Sequence, residues 1–144
     1  MMISKATTLS VPTLALAVFT FVSPARAANQ PVYDLAAAMT VSGIITAVSE
    51  TPAGQTLEGV HILVKTKSGG VDVFLAPRNF LNVLKTSFAV GDYIDVTGSR
   101  VKAGNTEVVL AREVDDGQAI IMLRDSSGAE VWKNWGVGVN LKTT

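Results

Sequence analysis

The side chains that could perform catalysis are few and scattered along the sequence. His61 is the only histidine, and there is no cysteine, so disulfides, thiolate metal sites, haem attachment through cysteine and a cysteine nucleophile are excluded. No G-x-S-x-G turn supplies a serine nucleophile, and the Gly69-Gly70 pair lacks the lysine and the serine or threonine of a phosphate-binding loop. The acid nearest to His61 is Glu58, and two residues do not make a metal site. We therefore expect a protein that is not an enzyme and has no cofactor; a metal-assisted activity is the weakest alternative.

The densest group of acids is Glu113, Asp115 and Asp116. These residues could bind calcium or magnesium, but the spacing does not match the D-x-D-x-D-G pattern of a calcium loop. Adjacent carboxylates are more typical of a solvated turn, which is the interpretation we favour. The sequence therefore predicts no metal site.

Residues 1–27 have the order of segments found in a secretory signal peptide. Lys5 precedes an apolar stretch over residues 9–22, and the small-residue motif Ala25-Arg26-Ala27 follows. A transmembrane anchor is the alternative, but about 14 apolar residues fall short of the about 20 that span a bilayer. We expect cleavage before Ala28, a periplasmic or secreted protein, and no stable membrane span after cleavage.

The charge balance disfavours nucleic acid as a partner. Lys+Arg and Asp+Glu each number 12 in the whole chain, and loss of Lys5 and Arg26 with the signal peptide leaves a formal charge of −2. Binding to phosphates needs an excess of cations. Nucleic acid therefore stays a possible but disfavoured ligand.

The mature chain has the pattern of a small β-protein. Residues 28–39 form an entry arm, residues 40–136 the domain with its C-terminal extension, and residues 137–144 a tail. Runs rich in β-branched residues between Gly and Pro turns predict strands at 41–48, 60–66, 71–75, 93–101 and 106–112, with a further strand at 119–123. Helical spacing after Pro77 predicts a helix over 78–86. The predicted core comprises Val73, Leu75, Leu84, Ile94, Val96 and Leu110.

Three strands, a helix and two strands is the element order of the OB-fold, a five-stranded Greek-key barrel. The segment Val90-Gly91-Asp92-Tyr93-Ile94-Asp95-Val96-Thr97-Gly98 resembles the turn and fourth strand of many OB-fold proteins. With its signal peptide, the chain resembles small exported bacterial OB-fold proteins that carry a nucleic-acid-binding-like domain. The resemblance covers residues 40–112, together with Leu123-Arg124-Asp125 and Trp132 in the C-terminal extension. We therefore predict an all-β, OB-fold-like barrel with one short helix between strands 3 and 4 and a C-terminal hairpin and aromatic extension.

The resemblance also implies where a ligand would bind, because OB-folds use the face of strands 2 and 3 between the 1–2 and 4–5 loops. The residues expected there are His61 and Lys65 on strand 2, Phe74 on strand 3, Tyr93 on strand 4 and Lys102 in the 4–5 loop. Two alternatives stay open: His61 is a structural residue, or Phe74 packs under the C-terminal extension. Trp132 and Trp135 are spaced to share a helix face and clamp the barrel.

Two functions are consistent with these features. The first is a non-catalytic exported binding module that recognises a protein or a small ligand. The second is a single-stranded nucleic-acid or oligosaccharide binder that uses the strand 2–3 face. The sequence names neither the ligand nor the partner.

Overall fold

The computed structural model describes residues 30–134. The elements within this range are β1 (Ala38–Thr51), β2 (Gly59–Thr66), β3 (Gly69–Ala76), α1 (Arg78–Val83), β4 (Tyr93–Ala103), β5 (Thr106–Asp115) and β6 (Ile120–Met122), with short 3₁₀ helices at Leu35–Ala37 and Val131–Asn134. The predicted signal peptide, Ala28, Trp135 and the tail over 137–144 lie outside the described residues. No helix within residues 30–134 is long and apolar enough to cross a bilayer.

Five of the strands close into a barrel. Strand β1 pairs with β4 along its first half and with β2 along its second, β2 pairs with β3, and β4 pairs with β5, all antiparallel. A short parallel contact between β3 and β5 closes the circle. Strand β6 pairs with β5 outside the barrel. The predicted all-β fold, with a five-stranded barrel and one short helix between the third and fourth strands, is confirmed.

The long strand β1 pairs with both β4 and β2, and this requires its backbone to approach β2 closely. A Cβ atom at Gly43 would overlap the Lys65 carbonyl, so glycine is required where β1 passes from β4 to β2. A register shift between Ile45 and Ala47 follows immediately. Strand β1 begins at Ala38, so the last residues of the predicted entry arm belong to the barrel.

Four of the six residues predicted for the core, Val73, Leu75, Ile94 and Val96, are buried in the barrel core. Leu110 is also buried, but in a second apolar cluster on the outside of the barrel. The prediction for Leu84 is wrong, because its side chain is 40% exposed. Phe80 and Leu81 are the residues of α1 that enter the core.

The predicted helix over 78–86 is too long, and hydrogen bonds at its end explain why. Lys85 adopts a left-handed backbone with φ of 52°. Its N–H donates to the Asn82 carbonyl, and the N–H of Thr86 donates to the Leu81 carbonyl. These two bonds are those of a Schellman motif, which usually places glycine where Lys85 stands. Leu84 therefore caps the helix and points away from the core.

The two leucines of this segment provide a matched test of the packing. We expect Leu81→Ala to lower the free energy of unfolding by about 2–5 kcal/mol, because it leaves a cavity in the core. Leu84→Ala should cost less than about 1 kcal/mol, because its side chain is already partly in water. Urea denaturation of both variants measures the difference. Equal decreases in the free energy of unfolding for Leu81→Ala and Leu84→Ala would contradict the orientation of α1, with Leu81 in the core and Leu84 at the surface.

Candidate ligand-binding surface

The outward face of β2 and β3 has a covered half and an open half. Alternation along the strands places His61, Leu63 and Lys65 of β2 on this face, next to Asp72 and Phe74 of β3. His61 lies opposite Phe74, and Leu63 lies opposite Asp72. The half around Phe74 is covered by other parts of the chain, whereas Leu63 and Lys65 are exposed to solvent.

Phe74 is buried although it points out of the barrel, with 3% of its surface exposed. The Trp132 ring meets it edge-on with centroids 6.0 Å apart, and the His61 ring lies at 5.1 Å. The other buried members of this second apolar cluster are Tyr33, Leu57, Val108 and Leu110. Of the two alternatives for Phe74, the structure favours packing under the C-terminal extension. A ligand could touch Phe74 only after Trp132 moved.

A buried arginine holds the C-terminal extension in place. The Arg124 guanidinium lies between the rings of Tyr33 and Trp132, at 5.7 and 5.5 Å from their centroids. Its Nη1 donates to the Gly128 carbonyl at 2.9 Å, and a Glu130 carboxylate oxygen lies 3.6 Å from Nη2. Burial lowers the pKa of Arg124, and the Glu130 charge offsets part of that effect. The cation therefore links the extension to the entry arm through stacking and charge together.

His61 lies between two hydrogen-bond acceptors. Its Nδ1 is 3.2 Å from an Asp72 carboxylate oxygen, and its Nε2 is 3.0 Å from the Leu57 carbonyl. A neutral imidazole can donate to one of these acceptors, whereas the protonated ring donates to both. Burial is the largest influence and lowers the pKa of His61, but the two hydrogen bonds and the Asp72 charge outweigh it and raise the pKa above 6.5. His61 is thus a structural residue that ties the β1–β2 loop to β3.

The open half borders a groove of about 930 Å³ between the first half of β1, the β2–β3 hairpin and the facing parts of β4 and β5. Its charged lining residues are Lys65, Lys67, Asp72, Arg100 and Glu107. Apolar surface is also present, because Ile44 and Tyr93 line the groove and are largely exposed, Tyr93 by 60%.

The charges of the groove are of both signs. Arg100 and Glu107 form an ion pair at 3.3 Å. Lys65 and Lys67 take part in no ion pair of residues 30–134, so their ammonium groups are available to a ligand. Asp72 supplies a carboxylate at the same opening, and one of its two oxygens is already paired with His61. Such a lining can bind a ligand that carries both a negative and a positive group.

The predicted site residues fall into three places. Lys65 and Tyr93 line the groove, whereas His61 and Phe74 lie in the covered half. The prediction that Lys102 lies in the 4–5 loop is wrong. Lys102 lies within β4, opposite Glu107, because β4 and β5 are longer than predicted and the turn between them is shorter. It does not line the groove.

Sequence reasoning missed Arg100 and Glu107 as groove residues. The register of β4 against β5 shifts between Thr97 and Gly98. Beyond this shift Arg100 lies opposite Val109, a core residue, so both share the inner face of the barrel. The extra residue at that shift is Arg112 in β5, so the alternation along β4 is unbroken. Arg100 is therefore on the same face as the core residues Ile94 and Val96, and this alternation was the signal that could have found it.

The model of the MamS/MamX magnetosome protein family matches residues 37–121, more than half of the chain. The chain belongs to the MamS/MamX magnetosome protein family. No curated protein matches it. The MamS/MamX match includes all five barrel strands and the groove residues Lys65 and Tyr93, whereas Arg124 and Trp132 follow its last residue.

Of the acids near residue 115 of this MamS/MamX protein, Glu113 and Asp115 lie in β5, and Asp116 begins the turn that follows the strand. An Asp115 carboxylate oxygen accepts from the N–H of Gly117, and one Asp116 oxygen accepts from the N–H groups of Gln118 and Ala119. The two N–H bonds lower the pKa of Asp116. In the part of the chain from residue 30 to 134, no three histidine or acidic side chains are grouped so that they could hold a metal ion.

The raised pKa of His61 predicts a pH dependence of stability. Because the folded state holds the proton more tightly than the unfolded chain, this contribution is complete below pH 6.5 and is lost as the pH rises through the folded-state pKa. Urea denaturation at about pH 5.5 and about pH 8.5 should show a loss of stability that the His61→Gln variant lacks. The same loss of stability between these two pH values in the wild type and in His61→Gln would contradict the two hydrogen bonds of His61.

Proposed function

We propose that this protein is a non-catalytic binding module whose ligand occupies the groove beside β2 and β3. The observation that carries the proposal is the groove of about 930 Å³, within the range of about 300–1,000 Å³ typical of ligand sites. Lys65 and Tyr93, two of the residues predicted from the sequence, line it. An OB-fold-like barrel that presents a ligand beside strands 2 and 3 agrees with this location.

The composition of the groove favours a segment of a partner protein or a small ligand with mixed groups. Lys65 and Lys67 can bind a carboxylate, Asp72 can bind a cationic group, and the exposed Tyr93 offers an aromatic face. Peptides combine these three kinds of group. The family is described as a magnetosome protein family, which makes other magnetosome components the first partners to examine.

A single-stranded nucleic-acid binder needs a series of exposed aromatic rings in a basic channel. On this face Phe74 is covered by Trp132, so Tyr93 is the exposed ring, and the carboxylates of Asp72 and Glu107 lie among the cations. Both features weaken phosphate binding. We therefore place the peptide or small-ligand function above the nucleic-acid function.

The non-catalytic part of the proposal is supported by the state of His61. Both of its ring nitrogens are engaged with Asp72 and Leu57. A general base needs a nitrogen that faces its substrate. Each nitrogen of His61 therefore faces an acceptor of the protein itself, and His61 does not line the groove.

Export to the periplasm or the exterior is part of the same proposal. It is supported by the order of charge, apolar run and Ala25-Arg26-Ala27 motif in residues 1–27. N-terminal sequencing of the protein from the native envelope should begin at Ala28. A chain that retains residues 1–27 in the membrane fraction would contradict export by cleavage.

The groove function predicts crosslinking that depends on Lys65. With benzoylphenylalanine in place of Tyr93, irradiation of the native envelope should give a discrete crosslinked product. Lys65→Glu should reduce its yield about tenfold, because it reverses a charge at the ligand. The matched change Lys85→Glu, at the exposed end of α1 and outside the groove, should have little effect.

Two outcomes would contradict this function. One is a crosslink reduced equally by Lys65→Glu and Lys85→Glu, which would indicate a general effect of charge. The other is micromolar binding of a fluorescent single-stranded oligonucleotide that weakens steeply with salt. That second outcome would favour the nucleic-acid function instead.

A further inference from the structure

The outer strand β6 has one edge bonded to β5 and a second edge that no strand in residues 30–134 covers. The N–H of Leu123 donates to the Arg112 carbonyl. Hydrogen-bonded and non-bonded residue pairs alternate along an antiparallel ladder. Ile121 is therefore bonded to β5, whereas the N–H and C=O groups of Ile120 and Met122 point toward the open edge.

The same two residues expose apolar side chains. Ile120 is 62% exposed and Met122 is 48% exposed, while Ile121 between them packs against the barrel core. Proteins usually protect a sheet edge with a very short strand, lysine, proline or a bulge, and of these devices β6 has only its length of three residues. This edge instead combines free main-chain groups with exposed apolar surface at alternate positions.

The sheet face beside this edge is acidic. Asp115 lies opposite Ile120, and Glu113 lies opposite Met122. One strand further in, Asp95 lies opposite Asp115, and like charges placed directly opposite each other destabilise a sheet. None of the ion pairs found in residues 30–134 involves these three carboxylates.

We propose that the open edge of β6 binds an extended segment of a partner protein as an additional antiparallel strand, with basic residues alternating with apolar ones. Main-chain groups of Ile120 and Met122 bond to the segment, as in other cases of strand addition. Its basic residues lie on the acidic face, where their aliphatic stems pack on Ile120 and Met122 and their charged ends reach Glu113 and Asp115. Glu113, Asp115, Ile120 and Met122 do not line the groove, and the proposal does not depend on the function proposed for the groove.

A second copy of the chain is a poor occupant of the same edge. Antiparallel pairing of two β6 strands would bring the Glu113 and Asp115 of both copies onto one continuous face. Uncompensated like charges would then oppose association. The acidic face therefore selects a basic segment over self-association.

The proposal can be tested with labelled synthetic peptides in which lysine and valine alternate. Their binding to the mature wild-type protein is measured by fluorescence anisotropy. In an antiparallel pair, the side chains of directly opposite residues point to the same face of the sheet. The peptide residues that hydrogen-bond to Ile120 and Met122 therefore lie on the acidic face, and these residues are the lysines. N-methylation of the lysine amides should weaken binding at least about fivefold, because it removes hydrogen bonds to the edge. N-methylation of the valine amides, which point away from β6, should leave binding unchanged. A peptide with glutamate in place of lysine should not bind.

Protein variants test the charge half of the proposal. The double change Glu113→Gln with Asp115→Asn should weaken binding about three- to tenfold at low salt. The matched double change Glu50→Gln with Glu58→Gln, elsewhere on the surface, should not. Equal binding of the two methylated peptides would overturn strand addition. A wild-type dimer that dissociates on Met122→Lys would overturn the choice of a basic partner.

Discussion

The parallel contact between β3 and β5 is the constraint on which the rest of the structure depends. It consists of two residue pairs, Val73 with Val109 and Phe74 with Leu110, yet it turns a curled sheet into a barrel whose five strands no longer have free edges. Closure places Phe74 beside Leu110, in the apolar cluster that the C-terminal extension covers. It also leaves β6 outside the barrel with an open edge. The covered face and the outer strand therefore border the same barrel strand, β5.

The C-terminal extension decides which half of the strand 2–3 face can bind a ligand. Trp132 supplies the apolar cover, and Arg124 fixes it by stacking on Trp132 and Tyr33 and by donating to Gly128. Burial of a cation is costly unless its charge is compensated, and Glu130 provides that compensation. The binding surface is thereby confined to the groove around Lys65, where charges of both signs face solvent.

Local patterns in the sequence were enough to predict the strands, the barrel and most of the core, because alternation and turn residues mark each strand. They failed where a long-range or atypical contact decided the outcome. Lys85 occupies the position of the expected glycine, so the end of α1 had no signal. Phe74 follows the pattern of a ligand-facing residue, but a segment almost sixty residues later covers it. The shift in the β4–β5 register, which leaves Arg112 without a partner in β4 and turns Ala111 and Val109 to the same face as Val114, is likewise set by pairing between strands.

The central claim is that one half of the strand 2–3 face is sealed and the other half is open. Hydroxyl-radical footprinting of the wild-type protein tests it without any substitution, because both halves carry an aromatic reporter. Tyr93, in the open groove, should be oxidised rapidly, whereas Phe74, beneath Trp132, should be protected until the protein is unfolded with urea. If Phe74 in the folded protein were oxidised to an extent comparable with Tyr93, the C-terminal extension would not seal this half of the strand 2–3 face.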